Sequence, residues 1–231
     1  MIFYFKHIAT VLCCILIIDR TFSQNNKKIT LATSAYEGIR VTSGLDVMLI
    51  ASNVNKLIVE GENSDFVVIS LKNKILKIAL SNKRGMFPKK TKIELYHSRD
   101  LKTISVNKSS RVASSQTISQ TNLFLEAKTN SQIDLEVYVK KIKTNLSFGG
   151  RVYLEGKANE HVLNFSTSSI CEAEQLISKT TKINCKMGAY AYINSKNRVD
   201  VKMYGGVLRV FGAPKTIKTS SKYGAKVYLE E

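Results

Sequence analysis

"SFGGRVYLEG", residues 147–156, and "MYGGVLRVFG", residues 203–212, share one form: an aromatic residue, Gly-Gly, apolar residues alternating with others, and a closing Gly. A chain that says nearly the same thing twice is either building one ligand loop two times or repeating a piece of architecture. Small or short polar pairs recur at Ser109-Ser110, Asn130-Ser131, Gly149-Gly150, Ser168-Ser169, Gly188-Ala189, Gly205-Gly206 and Gly224-Ala225, in steps of 17 to 21 residues. Spacing that regular marks a structural repeat, and the two quoted stretches are two of its copies.

The residues around each pair align in columns. Three positions beyond the first small residue stand Val112, Ile133, Val152, Cys171, Ala191, Leu208 and Val227, all apolar. Five beyond stand Ser114, Leu135, Leu154, Ala173, Ile193, Val210 and Leu229, apolar in all but the first. Between them lies a mixed column, Ala113, Asp134, Tyr153, Glu172, Tyr192, Arg209 and Tyr228. Apolar columns two apart around a mixed one predict a strand with one face turned inward and one outward. The positions before each pair show the same alternation for five repeats. It slips in the sixth, where Val199, Val201 and Met203 are displaced, as a one-residue bulge or a shorter step produces.

Each repeat therefore reads as strand, tight corner, strand, and a short return such as "EGKANE" (155–160) or "NSKNR" (194–198). So short a unit cannot bury its own apolar face, but stacked copies can. The prediction is an all-β fold: a single-stranded, right-handed parallel β-solenoid of about seven coils of roughly 19 residues. Gly149, Gly150, Gly205, Gly206 and Gly224 are predicted at its corners, where the backbone turns sharply and neighbouring coils crowd. Before residue 100 the chain alternates without this period, in "IRVTSGLDVMLI" (39–50), "KLIVEG" (56–61), "KILKIAL" (74–80) and "TKIELY" (91–96). A sandwich of antiparallel hairpins is the alternative, but it would not require core columns of constant phase.

At the N-terminus, Lys6 precedes an apolar run over residues 8–18, and the small residues Thr21 and Ser23 follow. That layout predicts a secretory signal peptide over residues 1–23, since a membrane-spanning helix needs about 20 apolar residues. Residues 24–231 are then expected as a single domain, with an N-terminal β segment over 24–100 and repeats over 101–231. No later stretch reaches membrane length, so no integral membrane segment is expected after cleavage, and the product is expected in the periplasm, at the cell surface or secreted. The whole chain carries 35 Lys and Arg against 18 Asp and Glu; removing Lys6, Arg20 and Asp19 leaves 33 − 17 = +16. Such a balance favours polyanionic partners, and export argues against nucleic acid. The abundance of Lys, Asn and Ile also follows from a base-composition bias. The basic loop "SNKRGMFPKKTK" (81–92), with Lys89 and Lys90, and "VKKIK" (139–143) are the candidate polyanion contacts.

At this point the residues resemble the family described as "putative auto-transporter adhesin, head GIN domain". "YEGIRVTSGLDVMLI" (36–50) matches its opening segment, with Tyr36, Ile39, Val41, Gly44, Asp46 and Val47 in place. "LIVEGENSDFVVISLKNKILKIAL" (57–80) resembles the stretch that follows, and "LKTISVNKSSRV" (101–112) the first turn. Asn-Lys-Ser-Ser, Ser-Phe-Gly-Gly and Lys-Met-Gly-Ala stand where the family has Ser-Gly-Ser-Gly turns. The resemblance implies a β-solenoid, export and surface binding, and it carries over no catalytic residues.

Chemistry-bearing patterns are sparse. The histidines after the leader, His97 and His161, have no second histidine or cysteine at metal-ligand spacing and are expected at solvated strand ends or returns. Nucleophile elbow, Walker loop and dinucleotide fingerprint are absent, and no cofactor or metal is expected. A polysaccharide lyase or hydrolase would need clustered carboxylates. The nearest sets are Asp134/Glu136 and Glu172/Glu174, with Glu172 expected between Tyr153 and Tyr192. Cys171 and Cys185 fall in inward columns of different phase and are expected as buried free thiols rather than a disulfide. The expected function is a non-catalytic exported module, adhesin-like, contacting a cell-surface glycan, an envelope component or a protein. Its candidate surface is Tyr153, Tyr192, Tyr228 and Arg209, with Lys89 and Lys90. A self-associating homo-oligomer is the remaining alternative, because open coil ends expose unpaired strand edges.

Overall fold

The computed structural model describes residues 28–81 and 91–230; the expected signal peptide over 1–23 and the predicted contacts Lys89 and Lys90 lie outside the described residues. The first strands are β1 (Lys28–Ala32), β2 (Gly38–Val41), β3 (Leu45–Ala51), β4 (Lys56–Glu60), β5 (Val67–Lys72), β6 (Ile75–Leu80) and β7 (Thr91–His97). The repeats supply β8 (Thr103–Val106), β9 (Arg111–Ser114), β10 (Ile118–Lys128), β11 (Gln132–Ser147), β12 (Arg151–Phe165) and β13 (Ile170–Cys185). The last are β14 (Tyr190–Tyr204), β15 (Val207–Phe211), β16 (Thr216–Lys222) and β17 (Lys226–Leu229). A 3-10 turn at Ser64–Phe66 is the one helical element among the described residues.

From β8 onward every pairing is parallel and joins a strand to its counterpart one repeat later, which makes a β-solenoid of about seven turns. The predicted inward columns are core: Val152, Cys171, Ala191 and Leu208 stack in register, as do Leu125, Thr144, Leu163, Ile183 and Val201. Cys171 and Cys185 are buried and free, and burial raises both thiols above their usual range.

Four corners follow one geometry. Two successive residues take the left-handed conformation, in Lys108–Ser109, Thr129–Asn130, Phe148–Gly149 and Thr167–Ser168. The next residue is small and buried: Ser110, Ser131, Gly150 or Ser169. A Cβ on Gly150 would stand 2.1 Å from the Ala127 carbonyl oxygen of the adjacent coil. Where serine takes this place it also satisfies turn backbone: Ser131 Oγ accepts from the Lys128 amide at 2.8 Å and donates to the Val106 carbonyl at 2.8 Å. The sixth corner explains the slipped column. There Gly206 is both left-handed and crowded, its Cβ position 2.4 Å from the Ala189 carbonyl oxygen, so one residue does two jobs and the corner is shorter. Val199, Val201 and Met203 nevertheless face inward opposite Thr181, Ile183 and Cys185, because register shifts between β13 and β14 near Ala173 and Ser178 absorb the difference.

Three expectations are refined or corrected. The returns at 155–160 and 194–198 are bends inside β12 and β14, where Glu155, Gly156, Lys157 and Ala158 still pair with Glu136, Val137, Tyr138 and Val139. A stacked bend finds backbone partners on the coil beside it, so the ladder has no reason to break. The N-terminal β segment also contributes layers to the stack. β2 pairs in parallel with both β6 and β8, and β3 with both β7 and β9, giving the layer order β6/β7, β2/β3, β8/β9. Ser43 and Gly44 are the left-handed corner of that layer. Antiparallel pairing of β1 with β4, β4 with β7 and β5 with β6 closes this end. Glu37 pins three layers together through hydrogen bonds from Lys102 at 2.7 Å and Lys74 at 2.8 Å, which hold its carboxyl down at about 2.

The third correction is His161, which is 1% exposed in the core, with Nε2 3.2 Å from Thr144 Oγ1. Thr181 and Ser178 extend this polar island, their hydroxyls 2.6 Å apart. Burial lowers the His161 ring from its usual 6.5 to about 4, so it is neutral in the folded protein at pH 7. Between these two values the unfolded chain binds the extra proton. Stability is therefore full above about pH 6.5 and falls as pH drops towards 4, by an amount on the order of 3 kcal/mol. The Glu37 contribution is lost only at lower pH, from about 4.5 towards 2.

Urea unfolding midpoints measured from pH 7 to 4 are expected to decline, and His161→Leu is expected to flatten that decline; an unchanged slope in the variant would assign the titration elsewhere. Gly150→Ala meets backbone and is expected to destabilise near the top of, or beyond, the usual overpacking range of about 1–3 kcal/mol. Gly224→Ala meets nothing within 4 Å and carries only its left-handed φ of +73°, so about 1–2 kcal/mol is expected. Equal losses in the two variants would refute the crowded-corner account.

Candidate binding face

The strands that follow each corner turn one residue in two outward, so their parallel register converts sequence columns into ladders on a flat face. The mixed column is such a ladder: Asp134 lies opposite Tyr153, Tyr153 opposite Glu172, Glu172 opposite Tyr192, Tyr192 opposite Arg209 and Arg209 opposite Tyr228. The predicted surface residues Tyr153, Tyr192, Tyr228 and Arg209 are thus brought into one file, with a rung about every 4.8 Å. Tyr153 and Tyr228 are 37% and 40% exposed and Tyr192 is half-buried, so each offers part of its side chain to solvent. Arg209 donates to Glu230 Oε1 at 2.5 Å, and its guanidinium carbon stands 5.3 Å from the centre of the Tyr228 ring. It is exposed, yet engaged by both Glu230 and the Tyr228 ring.

The charge beside the tyrosines is acidic. Partial burial, then the carboxylates of Glu155, Glu174 and Glu172, raises the Tyr153 hydroxyl above its usual range. Asp134 is held by Arg111, whose Nε donates at 2.6 Å, and Arg111 also lies 3.7 Å from Asp46. The acids expected as an enzymatic alternative are therefore dispersed along a ladder, with Asp134 already engaged. Among the described residues no three His, Cys, Asp or Glu side chains converge as a metal site would require.

One aromatic was missed. Tyr190, 47% exposed, lies two residues before Tyr192 on the same face, in the column Gln132, Arg151, Ile170, Tyr190, Val207 and Lys226. Reading the column two positions beyond the first small residue would have found it. The basic residues gather elsewhere. The face formed by the strands before each corner carries Lys128, Lys143, Lys182, Lys186, Lys202 and Lys218, flanking an asparagine ladder. In that ladder Asn164 donates to Asn145 at 2.9 Å and Asn184 donates to Asn164 at 3.0 Å. Lys143 of "VKKIK" is on this basic face; Lys89 and Lys90 lie outside the described residues. Among the described residues, Lys143 and the predicted aromatic contact are on different surfaces.

Among the described residues no helix is long and apolar enough to cross a membrane. The fold has close relatives among solved structures, all distant in sequence. A crystal structure of a putative adhesin from Bacteroides fragilis superposes with a TM-score of 0.82 at 18% identity, covering 90% of this chain and 98% of that one. A putative adhesin from Parabacteroides merdae gives 0.70 at 14% identity over 90% and 98%. A putative lipid binding protein from Parabacteroides distasonis gives 0.67 at 15% identity over the same shares. No curated protein gives a significant match. The family model described as "Putative auto-transporter adhesin, head GIN domain" matches residues 35–214, the stack from Tyr36 through the sixth coil, and the chain belongs to that family.

Proposed function

We propose that the chain is an exported, non-catalytic binding module whose aromatic and acidic ladder holds a neutral, hydroxyl-rich glycan of a cell surface. The observation that carries this reading is the alternation of Tyr153, Glu172 and Tyr192 at one rung each. A tyrosine ring offers flat apolar surface to the C–H face of a sugar. A carboxylate offers acceptors for its hydroxyls, and hydrogen bonds to a charged group are among the stronger ones. The acids that surround Tyr153 disfavour a polyanion on this face. The family description supports adhesion, and the opening segment, with its short apolar run, supports export.

Self-association through the open coil end has less support. β16 pairs only with β14 and β17 only with β15, but that edge carries Lys218, Lys222 and Lys226, and lysines on an edge oppose further strand pairing.

A glycan array probed with the purified chain is expected to give neutral oligosaccharide hits. Calorimetry on the best hit should then show the Tyr153→Ala, Tyr192→Ala double variant binding about ten- to a hundredfold more weakly, from two rings at about 0.5–1.5 kcal/mol each. Wild-type affinity in the double variant would sink the choice of face. Release of shortened oligosaccharide from any hit, abolished by Glu172→Gln, would overturn the non-catalytic reading.

A further inference from the structure

The bends inside β11 to β14 are stacked, and together with β10 they leave a trough of about 770 Å³ that runs along the solenoid axis over five successive coils. The register resolves it into three files. Ser119, Tyr138, Lys157 and Ile177 form one wall. Val139, Ala158 and Ser178, all buried, form the floor. Thr121, Lys140, Asn159, Lys179, Lys196 and Asn197 form the other wall. At a rung about every 4.8 Å, four steps cover about 19 Å.

The lysines are distributed in a way a merely solvated bend would not need. Lys140 stands on one wall, Lys157 on the opposite wall one coil later, and Lys179 back on the first wall one coil after that. Facing them across the floor are uncharged groups: Tyr138 opposite Lys140, Asn159 opposite Lys157 and Ile177 opposite Lys179. Lys196 adds a further charge beyond Lys179. These side chains are free of ion pairs among the described residues, whereas Lys141 and Lys182, just outside the trough, both hold Glu160 at 3.0 Å and 2.9 Å. Asp100, at one end, is the only acid in the lining.

We propose that this trough is a binding site for a linear acidic glycan, a chain of β-1,4-linked uronate residues lying along the solenoid axis with one sugar per coil. The length of a pyranose unit along an extended chain is close to the coil repeat, so the two lattices stay in step. In a two-fold ribbon each sugar is turned over relative to the last, and its carboxylate leaves on alternate sides. That is the order in which Lys140, Lys157 and Lys179 occur. Hydroxyls meet Ser119, Thr121, Asn159 and Asn197, and Tyr138 and Ile177 offer apolar surface to the ring faces. The many hydroxyl and amide groups of the lining favour a sugar chain over an acyl chain. The site lies about four residues along each coil from the tyrosine ladder and takes the opposite charge class, so it stands independently of the ladder's role.

The test uses the full exported chain and a hexamer of β-1,4-mannuronate, with β-1,4-mannohexaose as the uncharged counterpart, in calorimetry at low and physiological salt. The uronate hexamer is expected to bind, more weakly at higher salt, and the neutral hexamer to bind at least tenfold more weakly than the uronate at low salt. Lys157→Gln with Lys179→Gln should weaken uronate binding at least tenfold. Asn159→Trp, which narrows the trough without changing charge, should do the same. Tyr153→Ala with Tyr192→Ala should leave it unchanged. No uronate binding at low salt, wild-type affinity in Asn159→Trp, or equal binding to duplex DNA or to phosphatidylglycerol vesicles would each overturn the proposal, the last two by showing an unselective basic surface.

Discussion

The parallel backbone ladder between successive coils is the constraint on which everything else rests. A parallel stack keeps its hydrogen bonds only if each coil repeats the path of the one before, through corner and bend as well as strand. Uniformity of path in turn fixes which positions face inward, and so demands the apolar columns. It also explains why corner residues are restricted while their identities vary. In four corners the left-handed pair can be Lys–Ser, Thr–Asn, Phe–Gly or Thr–Ser, but the residue after it is always small, and at Gly150 a neighbouring carbonyl leaves no room for a Cβ. Where Gly206 merges the two requirements, compensating shifts elsewhere in the coil bring Val201 and Met203 back to the core.

The solenoid was legible because its signal is a period, and a period survives substitution at any one position. Side-chain columns of fixed phase place Tyr153, Glu172, Tyr192, Arg209 and Tyr228 on one ladder from sequence alone, since parallel register carries sequence phase directly into space. What escaped was whatever the period does not encode. The layers built by β2, β3, β6 and β7 return out of sequence order, so no constant step announces them, even though Ser43 and Gly44 have the corner's phase. His161 read as a surface residue because it is polar, yet it occupies an inward position where Thr144 supplies a partner. The returns carry no apolar period because Lys, Asn and Gly dominate them, so nothing in the sequence announces that their strands run on through the bend beside the adjacent coil. Tyr190 sits in a column that was simply not aligned.

The excess of positive charge is likewise a statement about places rather than about the molecule. Acids cluster beside the tyrosine ladder, while lysines line the bends and the asparagine face. A formal charge of +17 summed over the chain conceals a surface whose sides differ in the sign of the charge they carry. Two such surfaces on one rigid scaffold need no moving part, because each is only a different phase of the same repeat.

The two ends of the stack are also unlike, and the difference has a mechanical meaning. At one end antiparallel strands and the Glu37 contacts cross several layers, so a pull there must shear many bonds together. At the other, β16 and β17 hang from a single neighbour each, and a force along the axis opens their rungs in series. The Arg209–Glu230 contact then acts as a latch on the last coil. The two ends are thus anchored unequally: the last coil can open without disturbing the layers beneath it, whereas the first cannot.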